Sequence, residues 1–86
     1  MSGSTSASSP RRELQRLISL LVDEPDDVRV YEDHNRGGTS FEVRVARSDL
    51  GKVIGRQGRT ARALRTLLEV RGEQDGHRYG LDIRDA

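Results

Sequence analysis

Gly51-Lys52-Val53-Ile54-Gly55-Arg56-Gln57-Gly58-Arg59 is the stretch on which the reading of this chain turns. An apolar pair, Val53-Ile54, runs into a glycine; two polar residues and a second glycine follow, and then a helical pattern begins. Glycine reaches backbone conformations closed to other residues and lets another chain come close to the main chain. Gly55 and Gly58 therefore predict a tight, open turn between two helices. The N–H groups that open the second helix lack intrahelical partners, and the helix dipole adds positive potential to them. Lys52, Arg56 and Arg59 surround the same point. The stretch reads as a loop built to hold a phosphate backbone.

The spacing excludes two other phosphate loops. A nucleotide P-loop needs G-x-x-x-x-G-K-[ST], and a dinucleotide fingerprint needs G-x-G-x-x-G after a strand. Here the glycines fall at 51, 55 and 58, and no Lys-Ser/Thr pair follows. The G-x-x-G at 55–58 resembles instead the clamp of KH domains, which holds about four nucleotides of single-stranded nucleic acid. On that resemblance Gly55 and Gly58 let an RNA backbone approach. Arg56 and Gln57 form the loop tip, one as a cation and one as a neutral donor, while Lys52, Arg59 and Arg62 flank the phosphates. Leu50, Val53 and Ile54 divide between the core and the apolar floor of a base-binding groove. Arg36 and His34 are candidates for that groove's other wall.

Composition sets the frame. At 86 residues the chain is one small domain, and without cysteine it has neither disulfides nor thiolate zinc sites. Hydrophobic residues make up 33% and charged residues 34%, which predicts a thin core and a gain from oligomerisation. No apolar run reaches membrane-span length and no signal peptide is visible, so the expected compartment is the cytoplasm. Between Arg47 and Arg71 stand seven basic residues and two acids, a segment of +5 in a chain whose formal net charge is +1. Such a concentration is the electrostatic footprint of a polyanion partner.

In chain order, residues 1–9 (MSGSTSASS) are small and polar and read as a disordered tail. The domain occupies 10–86. Ser9 is placed as N-cap and Pro10 as first residue of a helix, with Leu14, Leu17, Ile18 and Leu21 on one stripe. Pro25 ends it near Val22 or Asp23. Residues 28–32 read as a strand, 33–38 as a turn, and 39–46 as a second strand in which Phe41, Val43 and Val45 alternate with Glu42 and Arg44. The two strands form an antiparallel hairpin. Ser48 is placed as the cap of a short helix with Asp49 in its first turn. After the glycine loop, a helix runs from Arg59 to Arg71 with Ala61, Leu64 and Leu68 inward, and Gly72 is its stop. Residues 77–84 form a last strand with Tyr79, Leu81 and Ile83 inward. The fold class is α+β in the order α-β-β-α-α-β. The helices pack on one face of a three-stranded mixed sheet whose last strand returns by a crossover.

With that order in place, residues 52–68, KVIGRQGRTARALRTLL, resemble the signature of the small bacterial KH proteins of the KhpA family. The resemblance extends over about residues 12–86, and the element order is similar to the type II KH fold. It implies single-stranded RNA binding, RNA-chaperone or post-transcriptional regulatory activity, and a homodimer or a complex with a larger KhpB-type KH partner. It further implies a link to cell elongation, division and envelope homeostasis. The polar N-terminal extension departs from common family members.

Two further features bear on function. His34 and His77 are isolated, so neither a metal site nor a catalytic triad is expected, and no cofactor is implied. On the helix from Arg59 to Arg71, a second apolar row, Ala63, Leu67 and Val70, lies about a third of a turn from the core stripe. That row is a candidate dimer face. It sustains the alternative reading, a protein-interaction module in which nucleic-acid contact is incidental.

Overall fold

The computed structural model describes residues 9–86. The tail expected to be disordered falls, except for Ser9, outside the described residues. Helix α1 (Pro10–Leu21) starts where Ser9 and Pro10 place it: the Ser9 hydroxyl oxygen accepts the Arg12 N–H at 3.1 Å, and Pro10 needs no N–H partner at that position. Leu14 and Ile18 are buried, while Leu17 and Leu21 stay partly exposed at its flank. Val22 is already extended, and Pro25 opens a single 3-10 turn over Pro25–Asp27.

Strands β1 (Arg29–Asn35) and β2 (Gly38–Val45) pair antiparallel in the register Val30↔Val43 and Asn35↔Gly38. The turn between them is two residues, shorter than the sequence predicted. The Asn35 side-chain oxygen accepts the Gly37 N–H at 2.8 Å, closing the turn locally and freeing residues 33–35 to pair. In β2 Thr39, Phe41, Val43 and Val45 all point inward and are buried. A 3-10 turn over Arg47–Asp49 leads into α2 (Leu50–Ile54), and Arg56–Gly58 leads into α3 (Arg59–Asp75). Strand β3 (Tyr79–Asp85) then pairs parallel to β2, Val43↔Ile83, so the sheet order is β1-β2-β3.

The helices cover the face that carries Phe41, Val43, Val45, Leu81 and Ile83, and the core is built there together with Leu14, Ile18, Val53, Leu64 and Leu68. Each such side chain contributes roughly 1.5–3 kcal/mol by leaving water, which is what a domain with so few apolar residues depends on. The α+β order α-β-β-α-α-β and the mixed sheet are those read from the sequence. Among the described residues, no helix is long and apolar enough to cross a membrane.

Two local expectations are corrected. Gly72 does not stop α3; it is buried inside it, and the helix ends at Gly76, which takes the left-handed conformation (φ 64°). Both the Gly76 N–H and the His77 N–H donate to the Gly72 carbonyl. A Cβ on Gly72 would lie 2.4 Å from the His77 carbonyl oxygen, so its role is close approach. Nor does Ser48 cap α2. Asp49 stands at that position without a side-chain cap bond, its carboxylate turned elsewhere.

Candidate nucleic-acid interface

The segment between α2 and α3 holds its shape by an unusual backbone path. Gly55 has φ 80° and ψ 165°, Gln57 φ 56° and ψ 25°, and Gly58 φ 73° and ψ 15°. Only the two glycines enter these regions without strain, and Gln57 is the one described non-glycine residue with positive φ. Such strain persists where the surroundings enforce it, and it clusters at ligand clamps. The Gly55 N–H donates to the Gly51 carbonyl at 2.8 Å, and the Gly58 N–H to the Gly55 carbonyl at 3.0 Å.

The two glycines differ in what surrounds them. A Cβ on Gly55 would strike Thr60, 2.3 Å from Oγ1 and 2.7 Å from the backbone nitrogen. A Cβ on Gly58 would meet nothing within 4 Å. Gly55 thus packs the turn against α3, whereas Gly58 presents bare backbone to open space. As N-cap of α3, Gly58 has no side chain to bond the first-turn N–H groups; the Arg59 N–H turns back to the Arg56 carbonyl, and the positive end of this 17-residue helix carries no side-chain cap.

The cations stand around this opening. The Arg56 side chain is exposed at the tip and has no hydrogen bond or ion pair with the other described residues. Arg59 donates to the Gln57 side-chain oxygen at 3.2 Å, and Arg62 to the Gln57 carbonyl at 3.2 Å. Lys52 is engaged: its ammonium bonds the Asp23 carboxylate and lies 3.5 Å from Asp49 Oδ1. The hydrogen bond to Asp23 chiefly, and Asp49 after it, hold Lys52 above its ordinary pKa against the lowering effect of burial. Burial pushes Asp49 up, but the N–H groups of Asp23 and Glu24 and the Lys52 ammonium outweigh it, so its carboxyl sits below the usual range.

Beside the loop runs an open groove of about 310 Å³ lined by Ile54, Gly58, Ala61, Arg62, Arg65, Asp82 and Ile83. The apolar residues of α2 divide along it: Val53 is wholly buried and supports α2 from beneath, Leu50 is half-buried, and Ile54 faces the groove. The far wall is β3, not Arg36 and His34. In the parallel register Tyr79 lies beside Thr39 and Ile83 beside Val43, so the β1–β2 turn sits at the opposite end of the sheet. His34 instead lies with Nδ1 3.0 Å from Thr39 Oγ1 and Nε2 3.0 Å from Glu32 Oε2. Arg65 reaches the Leu81 carbonyl at 3.4 Å on the free edge of β3. Arg65 and Asp82 were not singled out in the sequence; inward alternation along β3 marked Ile83 without revealing what it faced. Ala63, Leu67 and Val70 lie on the outer side of α3, with Leu67 55% and Val70 48% exposed.

The chain matches the family model described as KhpA/KhpB, KH domain, over residues 11–83. Among curated proteins it is similar to "RNA-binding protein KhpA" of Leifsonia xyli, 50% identical over 72 residues that cover 84% of this chain and 92% of the relative. The protein of the same name from Halalkalibacterium halodurans is 43% identical over 84% of this chain and 95% of its own length. That of Bacillus subtilis is 41% identical over 80% and 85%. No solved structure matches.

Proposed function

The chain belongs to the KhpA/KhpB family of KH-domain proteins, and from that premise we propose that it binds single-stranded RNA at the glycine loop and the adjoining groove. The observation that carries the reading is the positive-φ backbone at Gly55, Gln57 and Gly58, with open space over Gly58 and an Arg56 side chain without a partner among the described residues at the tip. A phosphate settles at the N-terminus of α3, where no side chain caps the helix, between Arg56, Arg59 and Arg62, and Gly58 lets the ribose-phosphate chain touch the main chain. Bases then turn into the groove over Ile54, Ala61 and Ile83. Lys52 and Val53 serve this site from behind, through an ion-pair cluster and through the core. The function that follows is that of a cytoplasmic RNA chaperone or post-transcriptional regulator. It acts as a homodimer or with a KhpB-type partner, in the family's context of cell elongation, division and envelope homeostasis.

Replacing Arg56 and Gln57 together by Asp adds repulsion to phosphate at a solvent-exposed tip and opens no cavity. The folded double variant loses RNA binding in a fluorescence-anisotropy titration; retained binding by that folded variant sinks the clamp reading.

The exposure of Leu67 and Val70 favours self-association as a second property of the same molecule. With Ala63 beside them they form an uncovered apolar row, which a two-fold partner would bury against its own copy. Leu67→Asp gives a folded monomer by sedimentation, with RNA binding weakened by lost bivalency. A parent protein already monomeric at high micromolar concentration refutes the dimer.

A further inference from the structure

Asp49 is the one charged side chain among the described residues that is wholly buried. Its Oδ1 accepts the Asp23 N–H at 3.1 Å and its Oδ2 the Glu24 N–H at 3.0 Å. Lys52, one turn on in α2, bridges Asp49 and the Asp23 carboxylate. The cluster thus ties the segment after α1 to the start of α2. Helix α2 has only five residues, too short to hold itself. Its place is therefore set from outside, by Val53 in the core and by Asp49 at its N-terminus. At its other end the chain turns at Gly55 into the loop.

We infer that Asp49 is the positioning residue of the glycine loop, and that Lys52 belongs to this brace and not to the phosphate-contacting set. The inference rests on the RNA-binding reading above and adds to it what holds the loop in place. It also accounts for an acid buried beside a site for a polyanion. By charge alone, Asp49 and Asp23 weaken RNA binding, since they subtract from the positive potential of the loop. The geometry gives Asp49 the opposite net effect, because without it the loop loses its anchor.

That opposition of sign makes the test. Asp49→Asn removes the charge but keeps the shape, and its amide nitrogen cannot accept the second backbone N–H. The expected result is binding of a short labelled single-stranded RNA weakened about tenfold, the scale of losing one charge-assisted hydrogen bond's worth of placement. Amide exchange quickens at residues 55–59. Gly72→Ala, destabilised at the far end of α3, is the control for stability alone and binds RNA as the parent does. Tighter or unchanged binding by Asp49→Asn, or a Gly72→Ala protein weakened as much as Asp49→Asn, overturns the inference.

Lys52→Gln supplies a second arm, decisive alone should the Asp49 variant not fold. It leaves the salt dependence of RNA binding unchanged and quickens exchange at 55–59. A log–log salt slope shallower by about 0.7, the contribution of one single-strand phosphate, assigns Lys52 to the RNA and overturns the inference. The Asp-Asp loop variant keeps the outcomes apart. If it still binds RNA, the function reading fails; if it loses RNA while the Asp49 and Lys52 variants behave as the parent, only the brace fails.

Discussion

Among the described residues, two glycines lie inside α-helices, and a substitution to alanine should move stability in opposite directions at the two. Gly51, in α2, has ordinary φ, and a Cβ there would meet nothing within 4 Å. Gly72, in α3, would place its Cβ 2.4 Å from the His77 carbonyl oxygen, where ordinary contact begins at 3.4 Å. Helix propensity alone favours alanine over glycine by about 0.5–1 kcal/mol at either site. At Gly72 the gain meets a clash of about 1 Å against main chain. The obstructing carbonyl cannot swing aside freely, because the His77 N–H is bonded to the Gly72 carbonyl at 2.9 Å and Gly76 fixes the reversal between them. Overpacking of this kind costs roughly 1–3 kcal/mol, leaving a net loss of about 1–2 kcal/mol. For a domain of this size that lowers Tm by about 5–15 °C, whereas Gly51→Ala raises it by a few degrees. Thermal unfolding followed by far-UV circular dichroism, with urea midpoints as a second measure, reads both. A Gly72→Ala protein as stable as the parent would refute the close-approach account and restore Gly72 to an ordinary helix position.

Three shorter predictions follow from the site. With about four phosphates engaged, log affinity for single-stranded RNA falls against log salt with a slope of roughly −2 to −3; a slope near zero would mean a contact dominated by apolar groups. Gln57→Gly relieves a left-handed residue of roughly 1 kcal/mol of strain, partly offset by the freedom glycine gains when unfolded, so Tm holds or rises slightly while RNA binding weakens. A clear fall in Tm would show that the Gln57 conformation is not strained. The third concerns acid. Asp49 and Asp75 both titrate below the usual carboxylate range when folded, Asp75 first through the Tyr79 hydroxyl and then through Arg71. The folded state therefore holds fewer protons than the unfolded one. Their stabilisation is complete above about pH 4, the unfolded value, and disappears as pH falls through the folded ones. Asp49→Asn accordingly trails the parent in urea midpoint at pH 6 and converges on it in strong acid, and a constant gap across that range contradicts the linkage.

What the sequence disclosed and what it hid divide by how far away the deciding partner sits. Ser9-Pro10 opens a helix by chemistry contained within four residues, and Phe41, Val43 and Val45 declare a strand by their own alternation. Gly55 and Gly58 were legible for the same reason, because each answers a demand of the local backbone. Gly72 and Gly76 show where this stops. Both lie at the end of an amphipathic run and both are glycine, but one is needed for a left-handed φ and the other for the carbonyl of His77 pressing against it. Composition alone does not say which is which. Asp49 is the same problem in a charged residue: next to Ser48 and ahead of a helix, it has the look of a first-turn acid. Its actual partners are the N–H groups of Asp23 and Glu24, at the end of an earlier helix. The groove was half legible on the same logic. Of the residues read for its floor, Ile54 lines it, but Ala61 read only as core, and the wall comes from β3, which only the parallel crossover brings alongside. The residues that shape the loop through local backbone were thus readable in advance, and those that hold it in place were not. Placement is a long-range property of this fold, which is why a single buried carboxylate can govern a loop that begins six residues after it.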